Sequence, residues 1–290
     1  QCETLKILIG AGDLIDAGDY AGVNALMFAA QYGQLGALNT LLGAGADLNS
    51  RDRVGWTALF EASFSHHIDI VQALIQAGAD VNATDNHSAT PLMASIGFNR
   101  QGLIETPPSS ILVGWEQFEQ RRKARIEVVR LLIKSGVNVN AKYDGGNNNG
   151  FTPILIAAVV GDAEITRALS AGGADVKGEV GQKALILSMA NNPGDNLKAL
   201  AEAGADVNAR LPAGMTLLMV AASGGSVDSV KALLKAGADP NIRSDEGHTA
   251  RDFAYDRHMG NPYVTEYRAI YQILSSVTAP EPQFITLGLK

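Results

Sequence analysis

Residues 45–82 read GADLNSRDRVGWTALFEASFSHHIDIVQALIQAGADVN, and the opening tripeptide Gly45-Ala46-Asp47 returns 33 residues later as Gly78-Ala79-Asp80. It returns again at Gly173-Ala174-Asp175, Gly204-Ala205-Asp206 and Gly237-Ala238-Asp239, with Gly136-Val137-Asn138 as a worn copy. A fixed period of this length marks stacked units, each of which buries its apolar face only against its neighbours.

Within the unit the order of signals is constant. After the tripeptide comes an Asn (Asn49, Asn82, Asn208), then a turn, then a helix start. The starts are Gly55-Trp56-Thr57-Ala58-Leu59, Ala89-Thr90-Pro91-Leu92, Gly150-Phe151-Thr152-Pro153-Ile154, Gly214-Met215-Thr216-Leu217-Leu218 and Gly247-His248-Thr249-Ala250. A Thr hydroxyl there can accept from the free amides of the first turn, where Pro is also tolerated. The first helix that follows carries small residues, as in Ala29-Ala30, Ala157-Ala158 and Ala221-Ala222, which let neighbouring units approach closely. The second repeats large apolar residues at helical spacing, as in Ile68, Val71, Leu74 and Ile75 or Val227, Val230, Leu233 and Leu234. Gly then ends it, and the Asp of the tripeptide reads as a turn-former that accepts from nearby amides.

This unit resembles that of the ankyrin-repeat family, with its Thr-Pro-Leu-His helix start. The resemblance runs from residue 1 to about 274 and implies an all-α solenoid of paired antiparallel helices with protruding turn or β-hairpin fingers. About seven repeats are expected, counting partial and capping ends. The units fall roughly at 1–18 (partial), 19–51, 52–84, 85–142 with an insertion at 99–123, 143–178, 179–210, 211–243 and 244–274 (cap), followed by an extended tail at 275–290.

The departures from regularity are individual to this chain. Glu3-Thr4-Leu5-Lys6-Ile7-Leu8-Ile9 aligns with a second helix that lacks its partner, which predicts a fragment or processed form of a longer protein. The insertion separates the two helices of one unit and holds Pro107-Pro108, Trp115 and Phe118, its latter half reading as a helical extension from Trp115. Trp115 and Phe118 are either exposed binding anchors or rings folded back onto the array. Tyr143 to Gly150 lengthens one turn; a single Asp among Gly and Asn lacks the alternating carboxylates of a calcium loop, so it reads as a mobile fingertip. In the last unit Arg251 replaces the usual Leu, as suits a terminal cap, with Tyr267, Ile270, Tyr271 and Leu274 on one stripe of its second helix.

A net charge of −7 argues against a partner bound by phosphate neutralisation, and the dense basic run Arg121-Arg122-Lys123 with Arg125 and Arg130 reads as a solvated helix face. Cys2 is the single cysteine, which rules out an intrachain disulfide and a four-thiolate zinc site. No apolar run is long enough for direct membrane insertion, so a soluble protein, cytoplasmic or periplasmic, is expected. His66 and His67 are the only paired histidines, and neighbours on a helix point apart. No nucleophile elbow, zinc-binding His-Glu-x-x-His or dinucleotide loop occurs, so neither enzyme nor cofactor is expected.

The expected function is therefore binding of another protein. The family resemblance implies contacts beside the turn Asp, before the Thr and near the end of the first helix. Carried over, these are Tyr20, Val23, Gln31 and Tyr32, then Arg53, Trp56, Phe64 and Ser65, then Asn86, His87 and Phe98, then Phe151. The aromatic residues among them are expected on an exposed face, although some can pack against neighbouring turns. Alternative readings are a targeting or regulatory segment of a larger enzyme, toxin or channel, and a structural subunit of a larger assembly.

Overall fold

The computed structural model describes residues 15–99, 101–104, 115–190, 193–261 and 263–278. These divide into two compact units, residues 1–191 and 192–290. In the first lie α1 (Ala25–Gln31), α2 (Leu35–Gly43), α3 (Ala58–Ser65), α4 (Ile68–Gln76), α5 (Pro91–Ile96), α6 (Trp115–Lys134), α7 (Pro153–Val160), α8 (Ala163–Ala171) and α9 (Gly178–Ala190). In the second lie α10 (Pro193–Glu202), α11 (Leu217–Ser223), α12 (Val227–Lys235), α13 (Ala250–Gly260) and α14 (Thr265–Val277). The repeat expected over 179–210 is thus shared between the two, α9 belonging to the first and α10 to the second.

First helices pack on first helices and second on second: α1 on α3, α3 on α5, α5 on α7 and α7 on α9, with α2, α4, α6 and α8 in parallel order. In the second unit α11 stacks on α13, and α10, α12 and α14 on one another in turn. Close stacking requires small side chains. Six residues after Asn24, Thr57, Thr90, Thr152 and Thr216 come Ala30, Ser63, Ile96, Ala158 and Ala222, all fully buried. The second helices bury a matching column of larger residues, Leu38, Val71, Val129, Thr166, Leu197 and Val230. Apart from Ser63 and Thr166 these columns are apolar, and their burial contributes roughly 25 cal/mol per Å² removed from water.

Capping is uneven. Asn24, Thr90 and Thr216 accept from the amide three residues on, and Thr249 forms a reciprocal box with Asp252, whereas Thr57 and Thr152 make no such bond. Among the described residues no strand forms, apart from an isolated bridge between Phe98 and Ile104, so the fingers are closed turns.

A polar ladder ties the loops that follow the second helices. Asp47, Asp80, Asp175, Asp206 and Asp239 each accept from the amide two residues on, as their turn-forming role requires. Between repeats the acceptor is a second side chain: Asn49 Oδ1 takes the amide of Asp80 (3.1 Å), Asn82 that of Asn138 (2.7 Å), and Asn140 that of Asp175 (2.8 Å). Among the described residues the ladder begins at Asp16, which takes the amide of Asp47, and it recurs in the second unit between Asn208 and Asp239. Lys177 occupies the position of Asn49, Asn82 and Asn140 but offers no side-chain acceptor.

Asn140 also donates to the carbonyl of Gly173 at 3.0 Å, so it makes two bonds to the next repeat. Asn140→Ala is expected to cost ~1–3 kcal/mol in urea unfolding, and Asn140→Asp, which keeps only the acceptor, less than that.

Candidate protein-binding face

A regular finger is built from five residues, while the fourth closes over nine, from Tyr143 to Phe151. Asp52 N donates to Trp56 O (2.9 Å), Gly55 N to Asp52 O (3.0 Å), and the Asp52 carboxylate takes the amides of Val54 (3.0 Å) and Trp56 (2.7 Å). Residues 19–23 and 85–89 close in the same way around Asp19 and Asp85. The fourth residue must be left-handed: φ is 82° at Gly22, 92° at Gly55 and, against the usual steric preference, 63° at Ser88. Neighbouring fingers join by single rungs, Arg53 N to Ala21 O, Asn86 N to Val54 O and Asp144 N to His87 O in the first unit, and Asp245 N to Ala213 O in the second.

This geometry decides which side chains face solvent. Tip residues project: Tyr20 is 93% exposed, and Arg53 and His87 are exposed, as is Tyr32 at the end of α1. Val23, Phe64 and Phe118 are half-buried, as are Gln31 and Ser65, while Asn86 is exposed and donates to Arg53 O. The Trp115 side chain lies outside the described residues, although α6 does start there, as the helical extension required.

Three aromatic residues expected on the exposed face are instead buried. Trp56 is 1% exposed because the closing residue of a finger turns inward, and its ring lies on Phe60 (5.3 Å) and Phe64 (5.6 Å) of its own first helix. Phe98, equally buried, pairs with Ile104 and meets the Tyr143 ring at 4.5 Å. Phe151, another closing residue, is covered by the Lys183 ammonium 4.5 Å above its ring.

The insertion contains an extra finger. Asn99 N donates to Leu103 O, Gly102 N to Asn99 O, and the Asn99 side chain takes the amides of Gln101 and Leu103, the pattern of Asp52 to Trp56 repeated. This finger seats on the lengthened fourth one: Asn148 donates to Gly102 O at 2.8 Å, and a Cβ at Gly102 would collide with the Tyr143 hydroxyl. Burial pushes the Tyr143 phenol above its ordinary pKa, and the Asp85 carboxylate adds to the effect. Phe28, Val54 and Leu103, exposed apolar residues on these elements, escaped the sequence reading; Phe28 stacks on Tyr32 with planes 7° apart, a pair legible from its four-residue helical spacing.

The basic run is partly committed to structure. Arg122 grips Asp162, the N-cap of α8, through two nitrogens at 2.6 and 3.0 Å, and Arg130 reaches Glu127 and Glu164. His66 and His67 point to opposite neighbours: the His66 Nε2–H donates to Ser95 O (2.9 Å) and the His67 Nε2–H to Gln31 O (3.0 Å). Among the described residues no group of three or more His, Cys, Asp or Glu side chains could hold a metal, and no helix is long and apolar enough to cross a membrane.

A model of ankyrin repeats in three copies matches residues 1–85, 26–106 and 121–211, and a model of ankyrin repeats in many copies matches 200–254. The chain belongs to the ankyrin-repeat family. The human ASB11 ankyrin repeat domain, as solved by crystallography, is similar over 90% of this chain and 100% of its own, at 24% identity and a TM-score of 0.61, a likeness of fold. Comparison with curated proteins finds no match.

Two outcomes follow for this ankyrin array. Trp56→Ala should cost ~3–5 kcal/mol of stability in chemical denaturation, as for other buried aromatics, whereas Tyr20→Ala should stay within ~0.5 kcal/mol. Burial, with Arg125 nearby, lowers the His66 pKa from 6.5 to about 4, so the folded chain holds this ring neutral. Its contribution is complete above pH 6.5 and is lost as pH falls toward 4, where the unfolded chain has taken up a proton that the folded one refuses. Between pH 7 and pH 5 the native chain should lose ~2 kcal/mol more than a His66→Asn variant, Asn being tolerant of the left-handed backbone there (φ 59°).

Proposed function

We propose that this chain is a binding module or adaptor for another protein, and that it binds through the tips and first helices of its early repeats. Ankyrin repeats are in general protein–protein interaction modules, whose fingers and first helices form an extended surface. The observation that carries the assignment to this end is the exposed aromatic group of the first complete repeat: Tyr20 on the finger, with Phe28 and Tyr32 stacked on α1. Packing of α1 on α2 and α3 buries Leu26, Met27, Ala29 and Ala30 and leaves Tyr20, Phe28 and Tyr32 exposed.

Rigid aromatic area beside an arginine is the composition of binding hot spots. Arg53, Val54 and His87 continue the row on the next two fingers, with Val23 and Phe64 contributing partial surface. Beyond them the extra finger seats on the fourth finger, where Phe98, Tyr143 and Phe151 are buried and Leu103 stays exposed. Half-buried Phe118 on α6 belongs to a separate candidate surface on the insertion, where the Trp115 side chain lies outside the described residues. The buried Trp56, Phe98 and Phe151 support the face from beneath.

The test is isolation of the full chain from cells with its stoichiometric companion, compared with Tyr20→Ala/Tyr32→Ala and with Tyr263→Ala, an equally exposed tyrosine in the other compact unit. The double variant should lose the companion by ~30-fold or more in affinity, as for loss of hot-spot aromatics, while the Tyr263 variant keeps it. Equal retention by both variants would contradict the assignment.

A further inference from the structure

The last repeat ends with a stacking face that no described residue of a further repeat covers. In its first helix, α13, Tyr255 occupies the column of Ala30, Ser63, Ile96, Ala158 and Ala222, yet is 46% exposed where all of those are fully buried. In its second helix, α14, half-buried Tyr271 occupies the column of Leu38, Val71, Val129, Thr166, Leu197 and Val230. The two rings lie 5.6 Å apart, so they form one patch, extended by exposed Met259 one turn further along α13. Arg251 stands in the column of Leu26, Leu59, Leu92, Ile154 and Leu218, near the start of α13.

The chain itself leads onto this face. Helix α14 ends at Val277, Thr278 is extended (φ −79°, ψ 146°), and its hydroxyl lies 3.4 Å from the Arg251 guanidinium. Residues 279–290, APEPQFITLGLK, lie outside the described residues. Pro280 and Pro282 cannot continue a helix and favour extended backbone before them. From Thr278 to Phe284 an extended chain reaches up to ~20 Å, while Tyr255 lies one helical turn, ~6 Å, along α13 from Arg251. The apolar residues Phe284, Ile285, Leu287 and Leu289 follow at that distance.

We propose that the segment 279–290 docks on the end face formed by α13 and α14, with Phe284 and Leu287 covering Tyr255 and Tyr271. The segment then serves as a cap that removes from water the surface every earlier repeat gives to its neighbour. A second copy of the chain is the competing occupant, because two such faces could pair.

Hydrogen exchange of the full chain is compared with Phe284→Ser/Leu287→Ser. Amides of 253–256 and 270–274 should exchange about tenfold faster in the variant, at unchanged monomer mass and independently of protein concentration. Unchanged exchange overturns the proposal, as does concentration-dependent protection accompanied by a dimer mass. An independent check uses a Cys2→Ser background. Tyr255→Cys with Phe284→Cys should form an intramolecular disulfide faster than Asp256→Cys with Phe284→Cys, Asp256 being the exposed neighbour on α13; equal rates overturn the proposal.

Discussion

The close approach of consecutive first helices is the constraint on which the rest depends. It requires a residue no larger than its neighbour can accommodate at one helical position, met by Ala30, Ser63, Ala158 and Ala222, with Ile96 as the larger exception. With the helices that close, adjacent finger backbones come within hydrogen-bond reach, and the single rungs from Arg53 to Ala21 and from Asn86 to Val54 become possible. The same spacing brings each Asn of the loop ladder to the amide of the following repeat. Apolar stacking sets the separation, and the polar contacts then fix register at that separation, each adding ~1 kcal/mol.

A five-residue finger sorts its side chains by position. The first is spent on closing the turn, the second and third project, the fourth must tolerate a left-handed backbone, and the fifth turns back over its own first helix. Tyr20 and Trp56 differ in fate for that reason: one occupies a second position, the other a fifth. In the second repeat Trp56 and Phe60 are fully buried, and Trp56 also meets the half-buried Phe64.

The period, the helix pairs, the turn-forming aspartates and the α6 extension were all legible in the sequence, because each rests on local chemistry repeated at fixed spacing. Side-chain direction was less so. Family positions pointed to Trp56 and Phe151 as contact residues, but direction depends on finger geometry, and burial of Phe151 also depends on Lys183, 32 residues away. The extra finger did leave a signal: Asn99-Arg100-Gln101-Gly102-Leu103 parallels Asp52-Arg53-Val54-Gly55-Trp56, but it falls within an insertion, where no finger is due. Burial of Phe98 follows from that finger, since Ile104 and Tyr143 close over it.

Hydroxyl-radical footprinting of the full chain, read residue by residue by mass spectrometry, tests the division between aromatic surface and aromatic core most directly. Rapid oxidation of Tyr20 and Tyr32, with Trp56, Phe98, Tyr143 and Phe151 protected, is the pattern this account predicts. Rapid oxidation of Trp56 or Phe98, or protection of Tyr20 and Tyr32 in the free monomer, would contradict it.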